Sequence, residues 1–172
     1  MTIERGMNKP ILLVEDEEHD VLFMQMALDA VGAKNPLSVA KDGCEAIDYL
    51  RGDGMYADRR QYPLPGLMLL DLRLPRVPGF EVLRWLRQQP AFAKLPVLVL
   101  SSSDQDSDVE AAYQLGADGY LVKPPLPSRL QAIVALIKKY WLDLDAPPPD
   151  CPGWQAVIVS PPATAERRRT RG

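Results

Sequence analysis

The chain has 172 residues, 47% hydrophobic and 25% charged, with a formal net charge of −3. That suits one domain plus a tail, with apolar side chains enough to bury a core without staples. Residues 151–172 carry Arg167, Arg168, Arg169 and Arg171 against Glu166, a net of +3, so the rest of the chain carries −6. An acidic body argues against nucleic-acid binding, which needs basic surface. Cys44 and Cys151 lie far apart and in no metal spacing, which favours a reducing, cytoplasmic setting. No apolar run approaches the about 20 residues a membrane span needs, and residues 1–8 lack the apolar stretch of a signal peptide.

Taken in order, the chain alternates strand and helix signals. The apolar run Ile11–Val14 ends in Glu15-Asp16. Val21, Met24, Leu28 and Val31 follow at helical spacing, with Gly32 as a stop. Leu37–Ala40 is a weaker strand signal. Asp42 is placed to cap a short helix with Ala46, Ile47 and Leu50 inward and Cys44 as a small core-facing residue. Residues 51–65 read as a long polar loop punctuated by Gly and Pro. Leu67–Leu70 ends in Asp71. The next helix runs from Gly79 to Gln88, before Pro90. The run at 97–100 ends in Ser101. Ser107 and Glu110 form a capping-box pattern ahead of a helix closed by Gly116. The short run at 120–122, containing Tyr120, is followed at once by Lys123. Leu130, Ile133, Val134 and Ile137 make an i, i+3, i+4, i+7 stripe. After Leu144 the periodicity stops, and residues 144–172 read as a Pro-rich, Arg-containing flexible tail.

Apolar runs bounded by polar residues fit strands buried on both faces, and β-α repeated five times gives an open parallel α/β sheet. Ligand sites in such sheets lie beyond the carboxyl ends of the strands. If the strands are neighbours, Glu15, Asp16, Asp71, Ser101 and Lys123 converge there. Three carboxylates together repel one another unless a cation joins them. Mg²⁺ suits an all-oxygen donor set, keeps several waters and lowers the formal charge from −3 to about −1, which Lys123 brings near zero. A phosphoryl donor can then approach, with Asp71 as nucleophile and Ser101 donating to a phosphoryl oxygen.

These residues carry a resemblance. Val14-Glu15-Asp16-Glu17, Leu70-Asp71-Leu72-Arg73-Leu74-Pro75, Leu100-Ser101-Ser102-Ser103 and Tyr120-Leu121-Val122-Lys123-Pro124 look like the signatures of two-component response-regulator receiver domains, over about residues 9–143. The 49–58 insertion and Tyr140-Trp141-Leu142 resemble single-domain regulators paired with bacterial phytochromes. The resemblance implies a flavodoxin-like (CheY-like) five-stranded parallel sheet with helices on both faces. It implies Mg²⁺ held by Glu15, Asp16, Asp71 and the backbone carbonyl of Arg73, and phosphorylation of Asp71 by a sensor histidine kinase. Lys123 pairs with the phosphoryl group, its bond to Pro124 is cis, and Ser101 and Tyr120 form the switch. Glu15 stands where many members have Asp. Arg73 and Ser103 occupy positions that tune phosphoryl lifetime.

Plainer readings attach to each residue alone. Glu15-Asp16 could be a solvated loop start, Asp71 a turn cap and Tyr120 a packed aromatic. His19 reads as a solvated residue at a helix start, and the arginine run as a solvated end. Leu136, Tyr140 and Trp141 lie off the main stripe of the last helix and suggest a homodimer seam. Rival functions are a Mg²⁺-dependent aspartyl phosphohydrolase, a receiver-like interaction module that takes no phosphate, and a flavin carrier. The first lacks its second Asp, because Arg73 holds that place. The last lacks a phosphate-cradling loop, because Glu15-Asp16 would repel one. The expected product is a signalling component, not an enzyme, without an effector domain.

Overall fold

The computed structural model describes residues 9–144, 147 and 151–160; the N-terminal extension at 1–8 and the arginine run at 167–171 lie outside them. Five parallel strands, β1 (Ile11–Val14), β2 (Leu37–Ala40), β3 (Leu67–Leu70), β4 (Val97–Ser101) and β5 (Gly119–Val122), form one sheet in the order β2-β1-β3-β4-β5. Six helices accompany them: α1 (Glu18–Ala30), α2 (Gly43–Arg51), α3 (Gly79–Gln88), α4 (Asp106–Gln114), α5 (Pro127–Ile137) and α6 (Pro152–Gln155).

Alternation along each strand divides the core. Leu12, Val14, Met68, Leu70, Val97, Val99 and Tyr120 pack with α2, α3 and α4, whereas Ile11, Leu13, Leu67, Leu69, Leu98, Leu100 and Leu121 pack with α1 and α5. Both faces are therefore covered, which is why these strands read as continuous apolar runs. The Asp42 cap of α2 is the one the sequence suggests, and Glu45 adds a second contact. Asp42 accepts from the Glu45 N–H at 2.8 Å, and Glu45 reaches back to the Lys41 N–H at 2.8 Å; Cys44 is half-buried. The loop after α2 is less open than expected. The rings of Tyr49, Tyr56 and Tyr62 meet at tilted or edge-to-face angles, and the Arg59 guanidinium ties the loop to the Tyr49 and Leu50 carbonyls at 2.7 Å each.

Three expectations need correction. First, α4 begins at Asp106, so Ser107 lies inside its first turn and no side chain caps it. Instead Ser103 ties the approach to the helix, its hydroxyl donating to the Asp108 carboxylate and accepting from the Gln105 N–H. Second, every peptide bond among the described residues is trans, Lys123–Pro124 included. Third, residues 151–159 are not a loose tail. Trp154 of α6 is buried against Tyr140 and Trp141, with ring centroids 6.2 and 5.8 Å away. The Val159 N–H donates to the Tyr120 carbonyl at 2.8 Å, and the Tyr113 hydroxyl donates to the Val159 carbonyl at 2.6 Å. This segment covers the outer edge of β5, and its apolar residues offset the entropy of ordering it. The last helix widens into a π turn at Lys138–Leu142, within which Tyr140 is buried. Tyr140 lies beneath residues 151–159, Trp141 is half-buried beside Trp154, and Leu136 packs against the core as a half-buried residue.

Candidate phosphoacceptor site

β1 and β3 are paired with Val14 opposite Leu70, so the residues that follow them leave the sheet side by side. Glu15, Asp16 and Asp71 each offer a carboxylate oxygen within 4.8 Å of the others. Glu15 and Asp71 are buried and Asp16 is exposed. Gly79 makes this packing possible: a Cβ there would lie 2.2 Å from the Asp71 carbonyl oxygen, so only glycine lets α3 start against the end of β3.

Lys123 reaches this group from beyond β5. Its N–H donates to the Ser101 carbonyl at 2.7 Å, extending the ladder by one residue. The side chain crosses the end of β4, and Nζ donates to Glu15 Oε2 at 2.5 Å, Asp71 Oδ2 at 2.9 Å and Asp20 Oδ2 at 3.0 Å. The other oxygens are also held. The Glu17 N–H donates to Glu15 Oε1 at 3.2 Å, and the Arg73 N–H donates to Asp71 Oδ1 at 3.1 Å. Both Asp71 oxygens are thus oriented by donors, one backbone and one ammonium.

The electrostatics follow from burial. Removal from water, reinforced by the Asp71 charge, pushes the Glu15 carboxyl from 4.5 up to about 7, against the Lys123 hydrogen bond that pulls it down. Burial also works against the Lys123 ammonium, but its hydrogen bonds to Glu15, Asp71 and Asp20 outweigh it and hold the group above the usual lysine range. The donor set is all oxygen, two of its carboxylates are desolvated, and only one ammonium balances them. That is the chemistry a hard divalent cation fits.

Ser101 and Tyr120 both contact the loop between β4 and α4. Ser101 is fully buried at the end of β4, its hydroxyl accepting from the Ser103 N–H at 3.2 Å. Tyr120 is fully buried, and its hydroxyl donates to the Ser103 carbonyl at 2.7 Å. The loop between β4 and α4 is therefore fastened to both. His19 is exposed and makes only an edge contact with Phe23 and a 3.8 Å approach to Glu17, as a solvated residue would. Asp20 is the residue that the motifs did not indicate. It lies in the first turn of α1, from which it reaches Lys123. Beside Lys123 a cleft of about 250 Å³ opens between α1 and the β5–α5 loop, lined by His19, Phe23, Pro124, Pro125 and Leu126 among others.

An open parallel sheet with a carboxylate cluster and a lysine at its carboxyl edge defines a class of phosphoryl-accepting signalling domains. The chain belongs to the response regulator receiver domain family, which matches residues 11–135. Receiver-domain response regulators are signalling proteins, and accepting a phosphoryl group from a kinase is the general function of the family. The response regulator Rcp1 of Synechocystis sp. is 36% identical over 143 residues, covering 83% of this chain and 95% of Rcp1. The phosphorylated cyanobacterial phytochrome response regulator RcpA is similar in structure, with a TM-score of 0.75 and 37% identity over 83% of this chain and 99% of that one. The Mn²⁺-bound form of Rcp1 has a TM-score of 0.72 at 36% identity, covering 81% and 99%. The bacteriophytochrome response regulator AtBRR has a TM-score of 0.65 at 35% identity, covering 84% and 99%. Among the described residues no helix is long and apolar enough to cross a membrane.

Proposed function

We propose that this chain takes a phosphoryl group onto Asp71 from a sensor histidine kinase of the phytochrome type, with Mg²⁺ as the cation, and signals by protein contact in the cytoplasm. One observation carries the reading: Asp71 is buried in a carboxylate cluster with both of its oxygens held by donors, one of them the Lys123 ammonium. The phytochrome partner rests on the similarity to RcpA and AtBRR.

Glu15, Asp16, Asp71 and the Arg73 carbonyl would hold the ion. Bound Mg²⁺ supplies charge neutralisation on the transferring phosphoryl oxygens. An Asp71 oxygen forms the new P–O bond as the P–N bond to the partner's imidazole breaks, leaving its electron pair on that nitrogen. Lys123 neutralises the phosphoryl oxygens as they arrive, and the Ser101 hydroxyl donates to one of them once the β4–α4 loop shifts. That shift draws on the same loop that holds Tyr120, so the phosphorylated domain presents a changed α4–β5 surface. The chain then acts as a signal carrier and not as an enzyme with a turned-over substrate. A homodimer through the last helix would have to form over α6 or displace it, because Trp154 packs against Tyr140 and Trp141; sedimentation with and without residues 151–172 tests this.

The central test is incubation with acetyl phosphate and Mg²⁺ followed by intact mass. A labile phosphate adduct on the wild type and none on Asp71→Asn is the expected result. Steady release of phosphate from many small esters would instead mark a phosphohydrolase. No adduct and no divalent-cation affinity would mark an interaction module.

A further inference from the structure

Asp20 contacts Lys123 at 3.0 Å, against 2.9 Å for Asp71 and 2.5 Å for Glu15, but it differs from them in three ways. It sits on α1 rather than at a strand end, and it is outside the carboxylate group that comes within reach of a common cation. Its side chain is 32% exposed, against 3% for Glu15 and 8% for Asp71. A cation at the site would draw on the charge of Glu15 and Asp71 and weaken their hold on the ammonium. Asp20, outside that group, would then be the main resident partner of Lys123. A phosphoryl group on Asp71 needs that same ammonium, since its oxygens carry the charge that the nearest cation must balance.

We propose that Asp20 is a positioning residue that holds the Lys123 ammonium in the resting domain and competes with the phosphoryl group for it, so that it sets how strongly the phosphorylated state is favoured. The inference rests on the function proposed above. Asp20 acts only through Lys123; it reaches neither the acceptor oxygens nor the cation.

Beryllofluoride, which mimics a phosphoryl group on an aspartate, gives an equilibrium readout that involves no turnover. Its affinity in Mg²⁺ is measured for the wild type, Asp20→Asn, Asp20→Glu and Glu18→Gln. Glu18 is exposed in the same first turn of α1, and no ion pair joins it to Lys123, so its variant removes an equal charge without touching the ammonium. Asp20→Asn should bind about fivefold more tightly, the scale of one partly exposed charge-assisted contact of about 1 kcal/mol. Asp20→Glu should return toward wild type, and Glu18→Gln should stay within about twofold of it. Unchanged or weaker binding by Asp20→Asn overturns the proposal, as does an equal gain in Glu18→Gln, which would mean general charge alone. A wild type that neither binds beryllofluoride nor takes phosphate would overturn the function itself, and Asp20 with it.

Discussion

Glu15 makes the fold's stability depend on pH in a direction opposite to that of most paired carboxylates. Its carboxyl is pushed up to about 7 in the folded chain from 4.5 when free. Between those values the folded state binds the proton and the unfolded state has lost it, so stability falls as pH rises through the window. Lys123 stays charged throughout, its own group being held above the usual range, so it adds no slope there. Moving the carboxyl across this interval is worth about 3 kcal/mol at 1.4 kcal/mol per pH unit. Urea unfolding followed by tryptophan fluorescence, from about pH 5 to about pH 8 without divalent cations, should show this loss in the wild type and not in Glu15→Gln. Saturating Mg²⁺ should flatten the curve, because the ion requires the deprotonated carboxylate, and below about pH 7 its affinity should fall up to tenfold per pH unit. Parallel pH profiles for the wild type and Glu15→Gln would refute the reasoning.

Three further outcomes follow from the geometry. Lys123→Ala leaves Glu15, Asp20 and Asp71 facing one another and should cost about 3–5 kcal/mol in urea unfolding without divalent cations, part of it recovered on adding Mg²⁺. Gly79→Ala places a methyl against the Asp71 carbonyl, so it should lower stability by about 1–3 kcal/mol and slow adduct formation with acetyl phosphate. The reciprocal control, Gly32→Ala, meets no atom within 4 Å and is strained only by its φ of 72°, so it should leave adduct formation alone. Trp154→Ala should release the segment from β5, costing about 2–4 kcal/mol and removing hydrogen-exchange protection from the Val159 amide, while the amides of β1 and β3 stay protected.

The strands and the site were legible in the sequence because both depend on local signals. A strand buried on both faces must be apolar throughout, and the polar residue where the run stops marks the edge where chemistry gathers; Glu15, Asp71 and Lys123 were found that way. Asp20 was not, since its role depends on where α1 points after leaving β1. The start of α4 at Asp106 differs from the sequence expectation for a related reason. Ser107 and Glu110 have the right spacing for a box, but Ser103 and Asp108 had already fastened the chain ahead of it. The segment at 151–159 escaped notice because a four-residue helix shows no periodicity, and its partners Tyr113, Tyr120 and Tyr140 are distant in the chain. The same distance hid the packing of Trp154 against Tyr140 and Trp141.

β5 is a rim strand, and a rim strand offers unused backbone groups to any passing chain. Here the chain blocks that offer itself, because Val159 takes the Tyr120 carbonyl and Trp154 lies over Gly119. Shortening the protein at residue 143, the natural place to trim a receiver for crystallisation or fusion, would strip this guard. Such a fragment should be judged first for self-association before its signalling behaviour is taken to represent the whole.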